Sequence, residues 1–271
     1  MMKGLFTPSY RTWMHRANPV LKLGGSILLF FVALFTHRPD FMLYQAVVFI
    51  LLLFWQSGYV FWKILLVVLS FLLVFVSSSS TMMLFGKGET LWWEWGLIRV
   101  TEESFYRGIH IGLKSVTLAA EGLLFVLTTS SVRLFYALMQ NAKLPSKFAY
   151  SFMASIRLLP MVWEELLIRK NALRIRGAQR LRGPRGWMAA IQLYAVPLLS
   201  QSIRRAHRVA VAMEAKAFDG QGGRTYYYPS VFTRFDLLIA ALLLGALGLA
   251  LLLGGMLPVF HIADIRSFYP Q

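Results

Sequence analysis

Five long apolar runs limit this chain more than any other feature. The clearest is Phe235 to Leu257; Val20 to Thr36, Phe41 to Trp55, Tyr59 to Val76 and Phe105 to Thr129 precede it. A helix needs about 20 mostly apolar residues to cross the hydrocarbon core of a bilayer. The second run is a little short but extends through Tyr59, so the stretch from 41 to 76 is almost continuous. His37-Arg38-Pro39-Asp40 and Gln56-Ser57-Gly58 provide the breaks around it. Pro19 stands just ahead of the first run, where proline is tolerated at a helix start. The composition agrees, with 57% apolar residues and a mean hydropathy of +0.58. The expected fold is an all-α integral membrane protein with about five transmembrane helices.

A basic segment interrupts the apolar pattern. From Arg133 to Arg234 there are 17 Lys or Arg against 4 Asp or Glu, while the rest of the chain carries 11 and 8. The net charge of +16 is therefore concentrated, as in the cytoplasmic loops of a membrane protein, and no nucleic-acid partner is expected. The chain divides into residues 1–131 with four spans, 132–232 as a cytoplasmic helical region, and 233–271 with the last span and a tail. Residues 1–19, the Lys63 end and the basic segment face the cytoplasm. The turn at 37–40, the loop at 77–104 and the tail at 258–271 face outward. Trp92, Trp93 and Trp95 in that loop suit a membrane–water interface. No cleavable signal peptide is expected, since no small-residue cleavage pattern follows the first run.

The basic segment has its own order. Val132 to Asn141 reads as a short helix ended before Pro145. Ser146 to Arg176 reads as a long helix, with Met153, Ile156, Pro160, Trp163 and Leu167 at spacings of three and four. Gly177 is its stop signal. Gly183-Pro184-Arg185-Gly186 reads as a turn. Trp187 to Phe218 is a second long helix, with Ile191, Tyr194, Leu198, Ile203 and Ala210 apolar, ended by Gly220, Gly222 and Gly223. Pro160 and Pro197 are kink positions. From Tyr150 to Ala217 there are 15 charged residues, and an Arg or Lys at the bilayer centre costs about 2.5–3.5 kcal/mol. The two helices are therefore expected beside or below the membrane, with their apolar faces packed on each other, on the spans or on a partner.

Most chemical sites fail on spacing. The chain contains no GxxxxGK[ST] phosphate loop and no GxSxG elbow, so any ATP used belongs to another chain. With no cysteine, thiol catalysis and Cys-based zinc sites are excluded. His15, His37, His110, His207 and His261 lie far apart in sequence and show no HExxH spacing, so no metal is expected. The serines at 77–80 read as a helix end. Lys114 and Glu121 are seven apart, on one face of a span, which makes them a candidate intramembrane pair. Their bland reading is an internal pair, or a lysine reaching the outer interface while the glutamate meets another helix. Arg174, Arg176, Lys216 and Arg224 can serve anionic lipid headgroups. Their place near helix C-termini, where a cation complements the dipole, and the glycines that follow also make them tips fit for an acidic groove.

At these residues the chain resembles the transmembrane T component of energy-coupling-factor (ECF) transporters, the EcfT/CbiQ-type permeases of vitamin and cobalt uptake. Ala172-Leu173-Arg174-Ile175-Arg176-Gly177 matches the first Ala-Arg-Gly signature with Ile175 in place of alanine. Ala212-Met213-Glu214-Ala215-Lys216-Ala217-Phe218 matches the second, AMxARGF, with lysine for arginine and alanine for glycine. Asn18-Pro19-Val20-Leu21-Lys22-Leu23, Arg157-Leu158-Leu159-Pro160 and Arg224-Thr225 also fit, and the resemblance covers essentially the whole chain in order.

The resemblance implies a pair of cytoplasmic coupling helices and no covalent chemistry in this chain. Two ABC ATPase subunits or domains, holding ATP and magnesium, would bind Arg174, Arg176 and Gly177 at one end and Lys216, Ala217 and Arg224 at the other. A small integral-membrane substrate-binding (S) subunit would pack near Arg157, Pro160, Trp163 and Pro197. The setting would be the plasma membrane of a prokaryote, and the cargo a vitamin, vitamin precursor or metal ion. The altered second signature implies a weaker second contact or an ATPase adapted to it. Two readings from other classes stay open, an intramembrane enzyme and a stand-alone secondary transporter, both using Lys114 and Glu121.

Overall fold

The computed structural model describes residues 10, 12–86, 88, 90–95, 98–176, 184–218, 226–260 and 264–265. After a short 3-10 turn, Trp13–His15, come α1 (Pro19–Phe35), α2 (Pro39–Gln56) and α3 (Phe61–Phe85). A hairpin of β1 (Leu91–Trp95) and β2 (Ile98–Thr101) leads into α4 (Glu102–Thr128) and α5 (Ser131–Asn141). The long helices α6 (Ser146–Ile175) and α7 (Pro184–Ala215) follow, then α8 (Arg234–Met256). The chain forms two compact units, residues 1–137 with 230–271, and residues 138–229.

In the first unit, α4 packs against α1, α2 and α3, and α2 and α1 also pack on α8. Leu29, Phe49, Leu53, Leu124 and Ile239 meet in its core. Gly108 and Gly112, one turn apart on α4, allow α3 to come close. A Cβ on Gly108 would lie 3.0 Å from the Ser79 carbonyl and one on Gly112 would lie 2.7 Å from the Phe75 ring, the packing that small residues permit between spans. Helices α2, α3, α4 and α8 are long and apolar enough to cross a membrane, and α1 is a shorter apolar helix of 17 residues. Leu66, Leu69 and Leu73 of α3 point outward. This is an all-α membrane protein.

Local chemistry sets the helix ends. Asn18 caps α1 by accepting from the Val20 N–H at 3.0 Å, and proline opens both α1 and α2. Gly58 takes a φ of 74° in the turn after α2. Thr101 caps α4 by accepting from the Ser104 N–H at 3.2 Å, with Glu102 and Glu103 in the first turn facing the positive end of the dipole. Two carboxylates fasten the ends of α8. Asp236, buried in its first turn, accepts the N–H groups of Asn18 and Thr233, each at 2.5 Å. Asp40 of α2 accepts those of Val259 and Phe260 just beyond its end, at 2.8 and 2.9 Å.

Three expectations are corrected. The third apolar run does not stop at Val76, because α3 continues through the serines to Phe85. The hydroxyls bond back to the preceding turn, Ser78 to the Val74 carbonyl at 2.8 Å and Ser80 to the Ser77 carbonyl at 3.2 Å, so the run stays helical without water. The expected loop at 77–104 holds an antiparallel hairpin whose register, Leu91 with Thr101 and Trp95 with Ile98, shifts between Leu91 and Trp93. Pro184 and Gly186 are the opening of α7 rather than a turn before it, since proline suits the first helical position. Gly177, Gly183, Gly220, Gly222, Gly223 and Arg224-Thr225 lie outside the described residues.

Candidate functional site

The second unit is built on α6 and α7, which pack on each other. Three contacts fix their direction. Tyr150 meets Phe218, Glu165 pairs with Arg205, and Arg169 donates to the Leu193 carbonyl at 3.4 Å. Each step forward on α6 pairs with a step backward on α7, so the helices form an antiparallel hairpin. Pro160 and Pro197 lie within α6 and α7.

The antiparallel arrangement separates the two basic ends. Arg174 stands in the last turn of α6 and Arg176 at its C-cap, both exposed beside Ile175, which is 87% exposed. Lys216 and Ala217 close α7 at the level of Tyr150, near the start of α6. From Tyr150 to Arg174 the helix rises roughly 35 Å at 1.5 Å per residue, and that is the spacing of the two ends along the hairpin. No arrangement within the hairpin brings them to one site.

The end of α7 has a defined geometry. The Phe218 N–H donates to the Met213 carbonyl at 3.0 Å and the Ala217 N–H to the Glu214 carbonyl at 2.9 Å. Ala217 has a φ of 53°. This is a Schellman turn with a left-handed residue just past the cap, a position usually held by glycine. Alanine holds this position here and carries the backbone strain that glycine would avoid.

Between the ends, the hairpin carries an exposed apolar surface. Phe152, Ile156, Leu159 and Trp163 follow one another at spacings of four, three and four on α6, all exposed. On α7, Val196, Leu199 and Ile203 are exposed at spacings of three and four. Of the residues singled out for a membrane partner, Arg157, Pro160 and Trp163 are exposed on α6 and Pro197 is half-buried on α7. Exposed apolar stripes of this extent are marks of a lipid or protein contact.

The first unit hides a separate polar cluster. Lys22, buried on α1, donates to the Thr128 carbonyl at 3.0 Å and the Thr129 hydroxyl at 3.4 Å, placing its charge at the negative end of α4. Lys22, Ser26 and Glu121 line a small cavity of about 10 Å³, the space of about one water. The expected Lys114–Glu121 pair does not form. Lys114 donates to the Leu34 carbonyl at 2.8 Å, whereas the buried Glu121 carboxylate has no hydrogen-bond partner among the described residues. Seven residues of helix separate the two by about 10 Å. The histidines are also nearer than their sequence positions suggest, since the His37 and His110 rings stack with centroids 6.3 Å apart. Among the described residues no group of three His, Asp or Glu is placed to hold a metal.

Lys22, Asp40, Asp236, Glu165 and Arg205 are the structural polar residues that the sequence left unassigned. For the Lys22 cavity the sequence offered two signals, the Asn18-Pro19 and Lys22 motif and the charge of Glu121 within an apolar run.

Apolar spans, a basic helical hairpin and exposed apolar stripes define a multi-pass membrane protein with an exposed surface fit for lipid or protein contact. Comparison with known proteins narrows the class. Residues 10–227 match the CbiQ family, described as "Cobalt transport protein". The chain is 26% identical to the energy-coupling factor transporter transmembrane protein EcfT of Lacticaseibacillus paracasei, over 93% of this chain and 98% of the relative. It is 25% identical to the EcfT of Macrococcus caseolyticus over 88% and 92% of the two chains, and 32% identical to that of Bacillus subtilis over 56% and 61%. The chain belongs to the CbiQ family of transport proteins.

Proposed function

We propose that this chain is the transmembrane energy-coupling subunit of an ECF-type importer. The observation that carries the proposal is the placement of Arg174 and Arg176 at one end of an antiparallel hairpin and Lys216 at the other. Ends roughly 35 Å apart suit two separate docking partners better than one. Each cationic end would enter an acidic groove on one of two ABC ATPase subunits, which hold the ATP and magnesium. ATP-driven approach of the ATPases would then tilt or slide the coupling helices with them. The stripe through Phe152, Ile156, Leu159 and Trp163, with Arg157, Pro160 and Pro197 nearby, would pass that motion to a substrate-binding membrane subunit. The chain would sit in the inner membrane with its N-terminus and residues 130–232 in the cytoplasm, in keeping with the basic charge there. The cargo class is a vitamin, vitamin precursor or metal ion, chosen by the partner subunit. Arg224 and Gly177 extend the two ends in sequence.

An intramembrane enzyme or secondary transporter built on Lys114 and Glu121 would need those groups to act together, and they are held apart. The test is co-purification of the ATPases with chains carrying Arg176→Ala or Lys216→Ala, measured beside uptake. Reduced association and uptake with normal membrane levels is expected of both. Wild-type assembly and uptake in both would overturn the proposal.

A further inference from the structure

We propose that Tyr150 and Phe218 are positioning residues for the Lys216 end, fixing it to the start of α6. The inference rests on the docking role proposed above and adds how one of the two ends is held. The backbone ends α7 in a turn at Ala217, whose left-handed conformation is unfavourable for a residue with a Cβ. An unsupported end with that strain would fray. Phe218 supplies the support. Its N–H closes the turn on the Met213 carbonyl at 3.0 Å. Its ring meets Tyr150 edge-on, with centroids 5.5 Å apart and planes at 89°, a favoured aromatic geometry. Both rings are half-buried while Lys216 and Ala217 are exposed. The charge therefore projects from a backbone turn anchored to the opposite helix.

The α6 end lacks this kind of anchor among the described residues. Arg176 closes the helix with its N–H on the Ala172 carbonyl at 3.1 Å, and the neighbouring Ile175 is 87% exposed. The two ends thus differ in how they are held as well as in their charged residue. Force on Lys216 reaches α6 at Tyr150 through the ring contact, so that end moves with the hairpin as one body. Lysine offers a point charge in place of the planar fork of arginine, and a fixed backbone compensates by narrowing where that charge can be.

The chain has no native cysteine, so Asn171→Cys and Glu214→Cys, both at exposed sites, accept one spin label each. Their separation in the full-length chain in detergent reports where the α7 end lies relative to α6. A narrow distribution is expected in the parent and with Tyr150→Phe, which keeps the ring, and a broadened one with Tyr150→Ala. Phe218→Ala is the second variant should Tyr150→Ala yield no protein. In parallel, without labels, ATPase association should fall roughly two- to tenfold with Tyr150→Ala, the range for losing one edge-on aromatic pair, and recover with Tyr150→Phe. Unchanged distributions in Tyr150→Ala and Phe218→Ala would overturn the inference. So would wild-type ATPase association in Tyr150→Ala when Lys216→Ala lowers it. If neither Lys216→Ala nor Arg176→Ala lowers association, the docking role fails, and the label distributions still decide the anchoring.

Discussion

Replacing Ala217 with glycine should stabilise the end of α7. The left-handed conformation costs an L-residue about 1–2 kcal/mol, and glycine avoids that cost. Glycine gives back about 0.4–1 kcal/mol through the greater freedom of the frayed chain. The net gain is about 0.5–1 kcal/mol, or a two- to fivefold smaller open population of the turn. The Phe218 amide, which donates to the Met213 carbonyl, is the reporter. Native-state hydrogen exchange should show it protected by that factor in Ala217→Gly. Ala212→Gly is the control of opposite sign, since Ala212 lies inside α7 and glycine in a helix interior costs about 1 kcal/mol. Unchanged or weaker protection of Phe218 in Ala217→Gly would refute the left-handed geometry and the strain argued from it.

Two further substitutions address the first unit. Lys22→Met removes the donor to the Thr128 carbonyl and should lower stability by about 1.5–3 kcal/mol, seen as a lower thermal midpoint in detergent. A midpoint equal to wild type would mean that Lys22 does not hold α1 to α4. Asp236→Ala strips the acceptor shared by Asn18 and Thr233 and should cost about 2–3 kcal/mol. Asp236→Asn, which keeps one oxygen, should lose less, and equal losses in the two variants would count against the capping role.

The spans were legible because uninterrupted apolar runs have few other destinations. Phe235 to Leu257 needed no tertiary information, and its helix, Arg234–Met256, differs by one residue at each end. The end of α3 was not legible. Serines read as a boundary in water, yet in apolar surroundings their hydroxyls satisfy themselves on carbonyls of the preceding turn. The partners of Lys114 and Glu121 were equally hidden. Helical spacing puts two side chains on one face but says nothing of the Leu34 carbonyl that Lys114 meets, or of the cavity that Glu121 shares with Lys22 of another helix.

In the hairpin, the long helices followed from their periodicity, and the basic ends from glycine punctuation and the family signature. The antiparallel pairing through Glu165 and Arg205 is long-range information that no local pattern contains. The turn at Ala217 was hidden for a different reason: alanine, unlike glycine, gives no sequence signal for a left-handed backbone.

The most direct test of the coupling role uses single cysteines placed beside each basic end. Ile175→Cys and Glu214→Cys, introduced separately into the cysteine-free chain, should each cross-link to an ATPase subunit in the assembled transporter. The chain carrying both should yield a product with two ATPases attached, one at each of two ends roughly 35 Å apart. No cross-link from either position, or both positions captured by the same single ATPase domain, would contradict the account.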